Sequence, residues 1–593
     1  SQKTINAQRA AAGEQPIVLE KLPMDDPEAF RLLQSCKTTA VFQLESRGMK
    51  DLIGKLVPDS FDDIVALVAL YRPGPLDSGM VETYYECKHG RKEVRFPHPM
   101  VEHILKPTYG VILYQEQVMQ IAQELAGYTL GAADLLRRAM GKKKPAEMAK
   151  QRIIFVEGAM ERGVEEDRAN LIFDQMETFA GYGFNKSHSA AYALIAYQTA
   201  WLKAHYSSAF MAAVLSADMD NTDKVDEFIH ECRDLSLEVL PPDVNRSHHA
   251  FTVVDDTTIL YGLGALKGVG HAAIDMIEIE REARGPFTDL SDFCNRIDHH
   301  KVNKRALDVL VRSGALDALD PDRNRARMLR ELPDALQAAE QYQRDLEAGQ
   351  VDLFGGGGEI RAPQLADHVA VRPWTLLQAL QAEKQTLGLY LTGHPVALQA
   401  EELARFTTCA LDSLEKRFGK KDGGNGRGRR SAPAVLAGLV RDVRRRGNRG
   451  SFVAIEDHTG RCEVGVFDDA WTLYADLLNK DEIIVLEAQI APDRFSSGLR
   501  INVQKIMSLG DAKSHFARGV QISLTGPAEG ISDLLKSTFV PYREGSGQVW
   551  LDYRNARARA RIELGQDWSV KPCEELVAAL GELGAVRDAR LIY

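Results

Sequence analysis

The chain has 593 residues, 45% hydrophobic and 26% charged, with a formal net charge of −11. That length exceeds what one core supports and points to about three to five domains; the composition excludes a disordered chain, and no apolar run is long enough to span a bilayer as a helix. The seven cysteines, Cys36, Cys87, Cys232, Cys294, Cys409, Cys462 and Cys573, include no C-x-x-C pair, which argues against a zinc site or a disulfide framework and fits a reducing cytoplasm.

Residues 1–20 are polar and read as peripheral, without a signal peptide, and the missing start Met leads us to expect a cut or processed N-terminus. From about 25 to 235 the pattern is mostly helical. Asp25-Asp26-Pro27-Glu28 is a helix start, with an acidic cap and Pro in the first turn before Phe30, Leu32 and Leu33. Val118, Ile121, Ala122 and Leu125 share one helical face. Ala193, Ala196, Ala200 and Ala204 form a small-residue face that lets helices pack closely. Pro241-Pro242 is a break. Two short strands at 252–254 and 259–261 flank a turn, a compact helical module runs from Gly262 to about Ala318, and a charged helix covers 325–347. Residues 374–410 are helical again. Gly423-Gly424-Asn425-Gly426-Arg427-Gly428 is a flexible linker. Strand-like runs at 435–440, 452–455, 463–467, 483–486 and 499–503 predict a five-stranded barrel such as an OB-fold. Residues 515–593 read as an α+β unit with a helix from about Pro572 to Leu583. The expected fold class is therefore multidomain and mainly α with one β-barrel.

Several clusters carry chemistry. Gly262-x-Gly264-x-x-Lys267-Gly268-Val269-Gly270 precedes a helix start, where Gly268 and Gly270 leave backbone N–H groups open to a phosphate. No Gly-Lys-Ser/Thr ends it, so it is not a P-loop. It fits a helix-hairpin-helix that grips DNA backbone without reading sequence, against the plainer reading of a glycine turn between helices. A second such turn is expected at Arg312-Ser313-Gly314-Ala315-Leu316. Arg137, Arg138, Lys142, Lys143 and Lys144 crowd the end of a helix; this suits either a solvated C-terminus or phosphate groups. Gly181 to Tyr192 is a glycine- and aromatic-rich loop with Lys186 and His188, and reads as a turn with a satisfied histidine or a nucleotide cradle. Its Ser187-His188 pair is poor support for a hydrolase, since no G-x-S-x-G elbow is present. Pro73-Gly74-Pro75 presents Arg72 rigidly. Arg441, Arg444, Arg445, Arg446 and Arg449 lie in the first hairpin of the expected barrel and suit single-stranded nucleic acid or a solvated hairpin equally. Asp62-Asp63 and Asp468-Asp469 sit at element ends, and no convincing metal site is found. Gln350-Val351-Asp352-Leu353-Phe354, followed by four glycines, places two apolar anchors beside polar ones on the surface, the format of a short docking peptide.

Taken in order, Val41-Phe42-Gln43-Leu44-Glu45-Ser46-Arg47-Gly48-Met49, Ala69-Leu70-Tyr71-Arg72-Pro73-Gly74-Pro75, Ile112-Leu113-Tyr114-Gln115-Glu116-Gln117-Val118-Met119, Leu136-Arg137-Arg138-Ala139-Met140-Gly141-Lys142-Lys143 and Phe184-Asn185-Lys186-Ser187-His188-Ser189-Ala190-Ala191-Tyr192 resemble the alpha-subunit family of bacterial DNA polymerase III. The resemblance is most specific from about 20 to 400 and weakens through the last 80 or so residues. It implies the end of the palm and the fingers over 1–235, a duplex- and clamp-binding domain over 236–410, a linker over 411–433, the OB domain over 434–510, and a tail domain for the clamp-loader subunit over 511–593. It implies template-directed DNA synthesis from dNTPs on a primed template, in bacterial cytoplasm and away from membranes. Arg137, Arg138, Lys186, His188 and, more weakly, Arg72 would meet the incoming triphosphate. Lys142, Lys143, Lys267, Gly268, Gly270, Arg444 and Arg445 would meet DNA. Gln350, Asp352, Leu353 and Phe354 would fill a sliding-clamp pocket, with Val351 at a variable position. The family's Mg2+ ligands, three palm aspartates, and its proofreading-exonuclease contact would fall in a preceding part, so this segment is not expected to polymerise alone. The alternative is a DNA- and clamp-binding scaffold that never catalyses.

Overall fold

The computed structural model describes residues 1–142, 145–180, 183–347, 370–419, 431–445, 450–493, 498–525, 530–554 and 558–593. These form two compact units, one of residues 1–374 with 382–389 and one of 375–381 with 390–593.

The first unit is mainly helical. Its start is a helix, Gln2–Ala11, that buries only Ile5 and is tied down by Gln2 and Asn6 side chains donating to Ile17 O. The helix Pro27–Gln34 starts where its sequence predicts: Asp26 accepts from the Glu28 and Ala29 N–H groups, Pro27 opens the first turn, and Phe30 and Leu33 are buried. Leu32 stays half-buried. Phe61–Leu70 is buried on nearly every side. It packs against the long helix Lys186–His205 across the expected small-residue face, where Ala193, Ala196 and Ala200 are fully buried and Ala204 is not.

Four helices, Gln115–Ala126, Leu130–Lys142, Pro145–Glu161 and Glu166–Ala180, enclose their own core. Val118, Ile121, Ala122 and Leu125 meet Leu136, Phe155, Phe173 and Met176 there. Gly158 lies where the third of these helices crosses the end of the first; a Cβ at that position would run into Ala126 O.

After the helix Thr222–Asp234 comes a small sheet, β1 (Glu238–Leu240), β2 (Thr252–Asp255) and β3 (Thr258–Leu260), ordered β1-β3-β2. The β2–β3 hairpin was legible in sequence; the parallel pairing of β1 with β3 adds a strand that was not. The module that follows contains the helices His271–Arg284, Leu290–Arg296 and Lys304–Arg312, packed through Ile274, Ile277, Phe293, Leu307 and Leu310. The charged helix spans Arg325–Glu347.

The second unit holds a closed barrel of β4 (Ala432–Arg445), β5 (Gly450–Glu456), β6 (Arg461–Phe467), β7 (Ile483–Pro492) and β8 (Leu499–Ser508), ordered β4-β5-β6-β8-β7. All pairs are antiparallel except β6 with β8, which closes the barrel in parallel at Gly465 and Asn502. Alternating residues such as Leu436, Val453, Ile455, Val464, Val466 and Leu486 fill its interior. The helix Asp468–Tyr474 bridges β6 and β7, the arrangement of an OB-fold. The tail is a sheet of β9 (Gly519–Thr525), β10 (Gln548–Arg554), β11 (Arg559–Glu563) and β12 (Val586–Ile592), ordered β11-β10-β9-β12. The helices Ile531–Phe539 and Glu574–Gly581 contribute Leu535, Phe539, Leu576 and Leu580 to its core. Among the described residues no helix is long and apolar enough to cross a membrane.

Candidate nucleic-acid interface

Three stretches far apart in sequence converge in the first unit. Tyr114 forms an isolated parallel bridge with Phe184: Gln115 N–H donates to Phe184 O at 2.9 Å, and Phe184 N–H to Leu113 O at 3.2 Å. Side chains reinforce the junction. Gln115 Nε2 donates to Gly183 O at 3.1 Å. The Glu116 carboxylate accepts from Asn185 Nδ2 at 2.8 Å and from Lys186 N–H at 2.9 Å. Asn185 Oδ1 accepts from His188 N–H and so caps the 186–205 helix. Tyr114-Gln115-Glu116 thus grips Gly183 to Lys186.

Arg137, Arg72, Lys186 and His188 arrive at this junction. Arg137 Nη1 donates to Gln115 Oε1 at 3.0 Å, while its Nε and Nη2 reach Asp134 Oδ1 at 3.0 and 2.7 Å. Arg138 pairs with the other Asp134 oxygen at 2.8 Å and is more exposed, 62% against 27% for Arg137. The Arg137 hydrogen bonds, aided by the charges of both arginines, hold the Asp134 carboxyl below the usual carboxylate range. Arg72 lies over the Phe184 ring, 4.2 Å from its centroid, and donates Nε to Ala69 O; burial lowers its pKa. Lys186 Nζ sits 5.5 Å from the Tyr114 centroid. It also lines a polar cavity of about 490 Å3 with Tyr114, Glu116, Gln117 and Gln120. His188 is exposed and contacts the Phe184 and Tyr192 rings at 5.3 and 4.4 Å; among the described residues no hydrogen bond joins it to Ser187 Oγ. The junction therefore gathers Arg137, Arg72, Lys186 and His188 around the Tyr114–Phe184 bridge, each through a contact to Gln115, Phe184 or Tyr114.

The glycine motif divides into two halves with different uses. Gly262 and Gly264 lie against the backbone or side chain of His249 and Ala250, so their missing side chains permit packing. Gly268 adopts φ +99°, with only Arg305 and Val309 near its Cβ position, and Gly270 opens onto free space at the start of the 271–284 helix. Lys267 is exposed beside them, its N–H donating to Thr386 O. The second turn, at Arg312 to Leu316, forms after the Lys304–Arg312 helix but differs from the first in what covers it. Gly314 is left-handed, and Arg325 fills the space above it and holds Asp317 at 2.8 and 2.7 Å. Ser313, Ala315 and Leu316 are buried, which closes that turn to a ligand.

On the barrel, Arg444, Phe452, Gly465 and Asn502 form one outward-facing row across β4, β5, β6 and β8. Phe467 packs edge-on against Phe452 at 5.3 Å. Arg444 is 72% exposed and leans on Asp442 at 2.9 Å; the Arg445 guanidinium lies 5.9 Å from the Trp471 centroid. Arg441 instead turns to the buried Glu456 at 3.3 Å. Phe452 and Phe467 escaped notice in sequence because one alternating strand does not say which of its faces is outside.

The Lys142 side chain, Lys143, Arg446, Arg449 and the peptide residues Gln350, Asp352, Leu353 and Phe354 lie outside the described residues. Among the described residues no group of three or more His, Cys, Asp or Glu gathers as a metal-ligand set. Asp63 is buried against Lys88 at 2.6 Å and caps the 61–70 helix. Asp468 and Asp469 open the 468–474 helix.

Family models match four stretches: the bacterial DNA polymerase III alpha subunit finger domain over 2–163, a helix-hairpin-helix motif over 236–326, an OB-fold nucleic acid binding domain over 434–509, and the C-terminal domain of DNA polymerase III subunit alpha over 534–583. The chain is 46% identical to the DNA polymerase III subunit alpha of Pseudomonas aeruginosa, covering 97% of this chain and 50% of that protein. It is 47% identical to the same subunit of Vibrio cholerae, covering 98% and 50%, and 47% identical to that of Escherichia coli K12, covering 97% and 49%. The chain thus spans about half the length of the curated relatives it matches.

Proposed function

Because the chain belongs to the bacterial DNA polymerase III alpha-subunit family, over the half of that family's length that it spans, we propose that it serves template-directed DNA synthesis by binding the incoming deoxynucleoside triphosphate, gripping the primed duplex and attaching to a sliding clamp. The reading rests most on the convergence at the 114–116/183–186 junction. Arg137 and Arg138 share Asp134, so a triphosphate arriving there exchanges one carboxylate for several phosphate oxygens, which accept more of the guanidinium donors. Lys186 and Arg72 complete a cationic rim, with the His188 ring beside it as a polar contact, that steadies charge growing on the phosphates during nucleotidyl transfer. The Mg2+ of such a reaction needs a carboxylate set that the described residues do not bring together, so no step here passes through it.

The duplex is held, in this reading, by Lys267 and the open N–H groups at Gly268 and Gly270, which meet backbone phosphates of any sequence, with Lys142 and Lys143 adding charge. Arg444 and Arg445, beside Phe452 and Phe467, suit a single strand on the barrel. Gln350, Asp352, Leu353 and Phe354 seat in the clamp, and the tail domain meets the clamp loader.

The test is binding of a fluorescent deoxyadenosine triphosphate to this chain. Removing a charged hydrogen-bonding partner costs about 1.5–3 kcal/mol. Arg137→Ala is therefore expected to weaken binding about 10- to 100-fold. Wild-type affinity in Arg137→Ala would remove the triphosphate from this junction.

A further inference from the structure

Four aromatic rings run in series along the 186–205 helix; three of them belong to one local motif and the fourth, Phe42, comes from a distant loop. Phe184 meets His188 at 5.3 Å, His188 meets Tyr192 at 4.4 Å, and Tyr192 meets Phe42 at 5.5 Å. Ile195, 44% exposed, continues the strip by a further turn. None of the four rings is fully buried.

Phe42 is set at the end of this line by a strained loop. Ala40 and Gln43, on either side of it, hold φ of +62° and +64°. Such backbone is unfavourable for residues with a Cβ and persists only where its surroundings enforce it. Here the enforcement is visible. Lys203, fully buried, donates to Lys37 O and Thr39 O at 2.8 Å each and pairs with Glu231. Thr38 Oγ1 donates to Leu44 O, and Lys50 Nζ to Thr39 Oγ1. Phe42 N–H donates to Thr199 Oγ1 of the same long helix. Val41 and Leu44 are fully buried, so the loop spends its strain on turning Phe42 out between them.

Cations border the strip at its Phe184 end. The Arg72 guanidinium covers Phe184 and Lys186 adjoins it at one end. Gly48 packs against the Tyr71 ring, so the start of the 47–56 helix, with exposed Arg47, lies beside the Tyr71-Arg72 turn. A row of half-exposed rings bordered by cations has the chemistry of unpaired nucleic-acid bases: every base offers a face to stack, and its phosphate meets the nearby charge.

We propose that Phe184, His188, Tyr192 and Phe42 form a stacking track for unpaired bases of a DNA single strand, the template ahead of the primer end, leading to the triphosphate junction. The inference deepens the polymerase reading and rests on it. It assigns a role to Phe42 and Tyr192, and makes Lys203 a positioning residue that holds the loop.

The experiment uses the whole chain with three probes: a single-stranded oligonucleotide carrying 5-iododeoxyuridine, a primed template with that base at the first unpaired template position, and a blunt duplex. Irradiation links the base to a ring it stacks on, and peptide mapping identifies the ring. Links to Tyr192 or Phe42 are expected from the first two probes and not from the blunt duplex. Tyr192→Ala and Phe42→Ala are expected to weaken single-strand binding about 5- to 100-fold while Tyr192→Phe keeps it, and all three variants retain binding of the blunt duplex. Links confined to the barrel, or unchanged affinity in both alanine variants, would overturn the track. Equal labelling of these rings by free 5-iododeoxyuridine triphosphate would overturn it as well, assigning them to the incoming base. Failure of the chain to bind any of the three DNAs would defeat the polymerase reading itself, so the two failures are distinguishable.

Discussion

Asp26 opens the helix Pro27–Gln34 and does two jobs at once. Its Oδ1 accepts from Glu28 N–H at 3.0 Å and Ala29 N–H at 2.9 Å, and His205 Nε2 approaches it at 3.0 Å. Burial alone would push this carboxyl up; the Ala29 N–H, followed by His205 and Trp201, holds it below the ordinary carboxylate range. A carboxyl whose folded pKa is depressed contributes stability above its unfolded value and loses it as pH falls through the folded one. Asp26→Ala is therefore expected to cost about 1 kcal/mol at neutral pH. The gap between wild type and variant should close as pH drops below about 4. Thermal melts at pH 7 and at pH 3 would show this; a gap that does not narrow at all between them would mean that the charge contributes nothing. Other single residues were less legible. Arg441 and Arg444 look alike in sequence, yet one is neutralised by buried Glu456 and the other faces solvent. Gly264 and Gly268 belong to one motif, yet only Gly268 needs the left-handed backbone.

At the level of elements, helix crossings set the mounting of the candidate site. The 115–126 helix carries Gln115 and Glu116 at one end, and at its other end Gly158 lets the 145–161 helix approach Ala126 closely. Gly158→Ala poses a contest between two effects. Alanine favours the helix by about 1 kcal/mol over glycine, but its Cβ would overlap a backbone carbonyl that cannot swing aside. Overpacking of that kind costs about 1–3 kcal/mol, so the substitution is expected to lower the thermal midpoint of the first unit. A raised midpoint would mean that the two helices have room for a methyl group at their crossing. The elements themselves were readable: the 325–347 helix, the alanine face of the 186–205 helix and all five barrel strands follow from periodicity and alternation. The turn at Gly314 was readable, but not that Arg325, from a later helix, covers it.

At the scale of the whole molecule, the proposed clamp attachment is a matter of tethering. Gln350-Val351-Asp352-Leu353-Phe354 lies outside the described residues and stands on its sequence alone. A peptide that holds the chain to a clamp raises the local concentration of primer ends, so modest affinity is enough. Phe354→Ala removes one of its two large apolar anchors and is expected to weaken attachment to a bacterial sliding clamp at least tenfold, since anchor residues of this kind carry about 2 kcal/mol or more. Surface plasmon resonance with immobilised clamp reads it directly, and equal binding by the variant would place clamp attachment elsewhere in the chain.

By itself the sequence determined the local structure: caps, helical faces, barrel strands, the open glycine turn and the family strings. These depend on residues within one or two turns of each other, where periodicity and backbone preference decide. The tertiary structure alone decided which strings share a site. Gln115 reaches Gly183, Arg72 covers Phe184 and Lys203 braces the loop of Phe42 across separations of 68, 112 and 164–166 residues. Each of those meetings depends on how whole helices pack, since burying their apolar faces outweighs any local preference of the polar side chains they bring together.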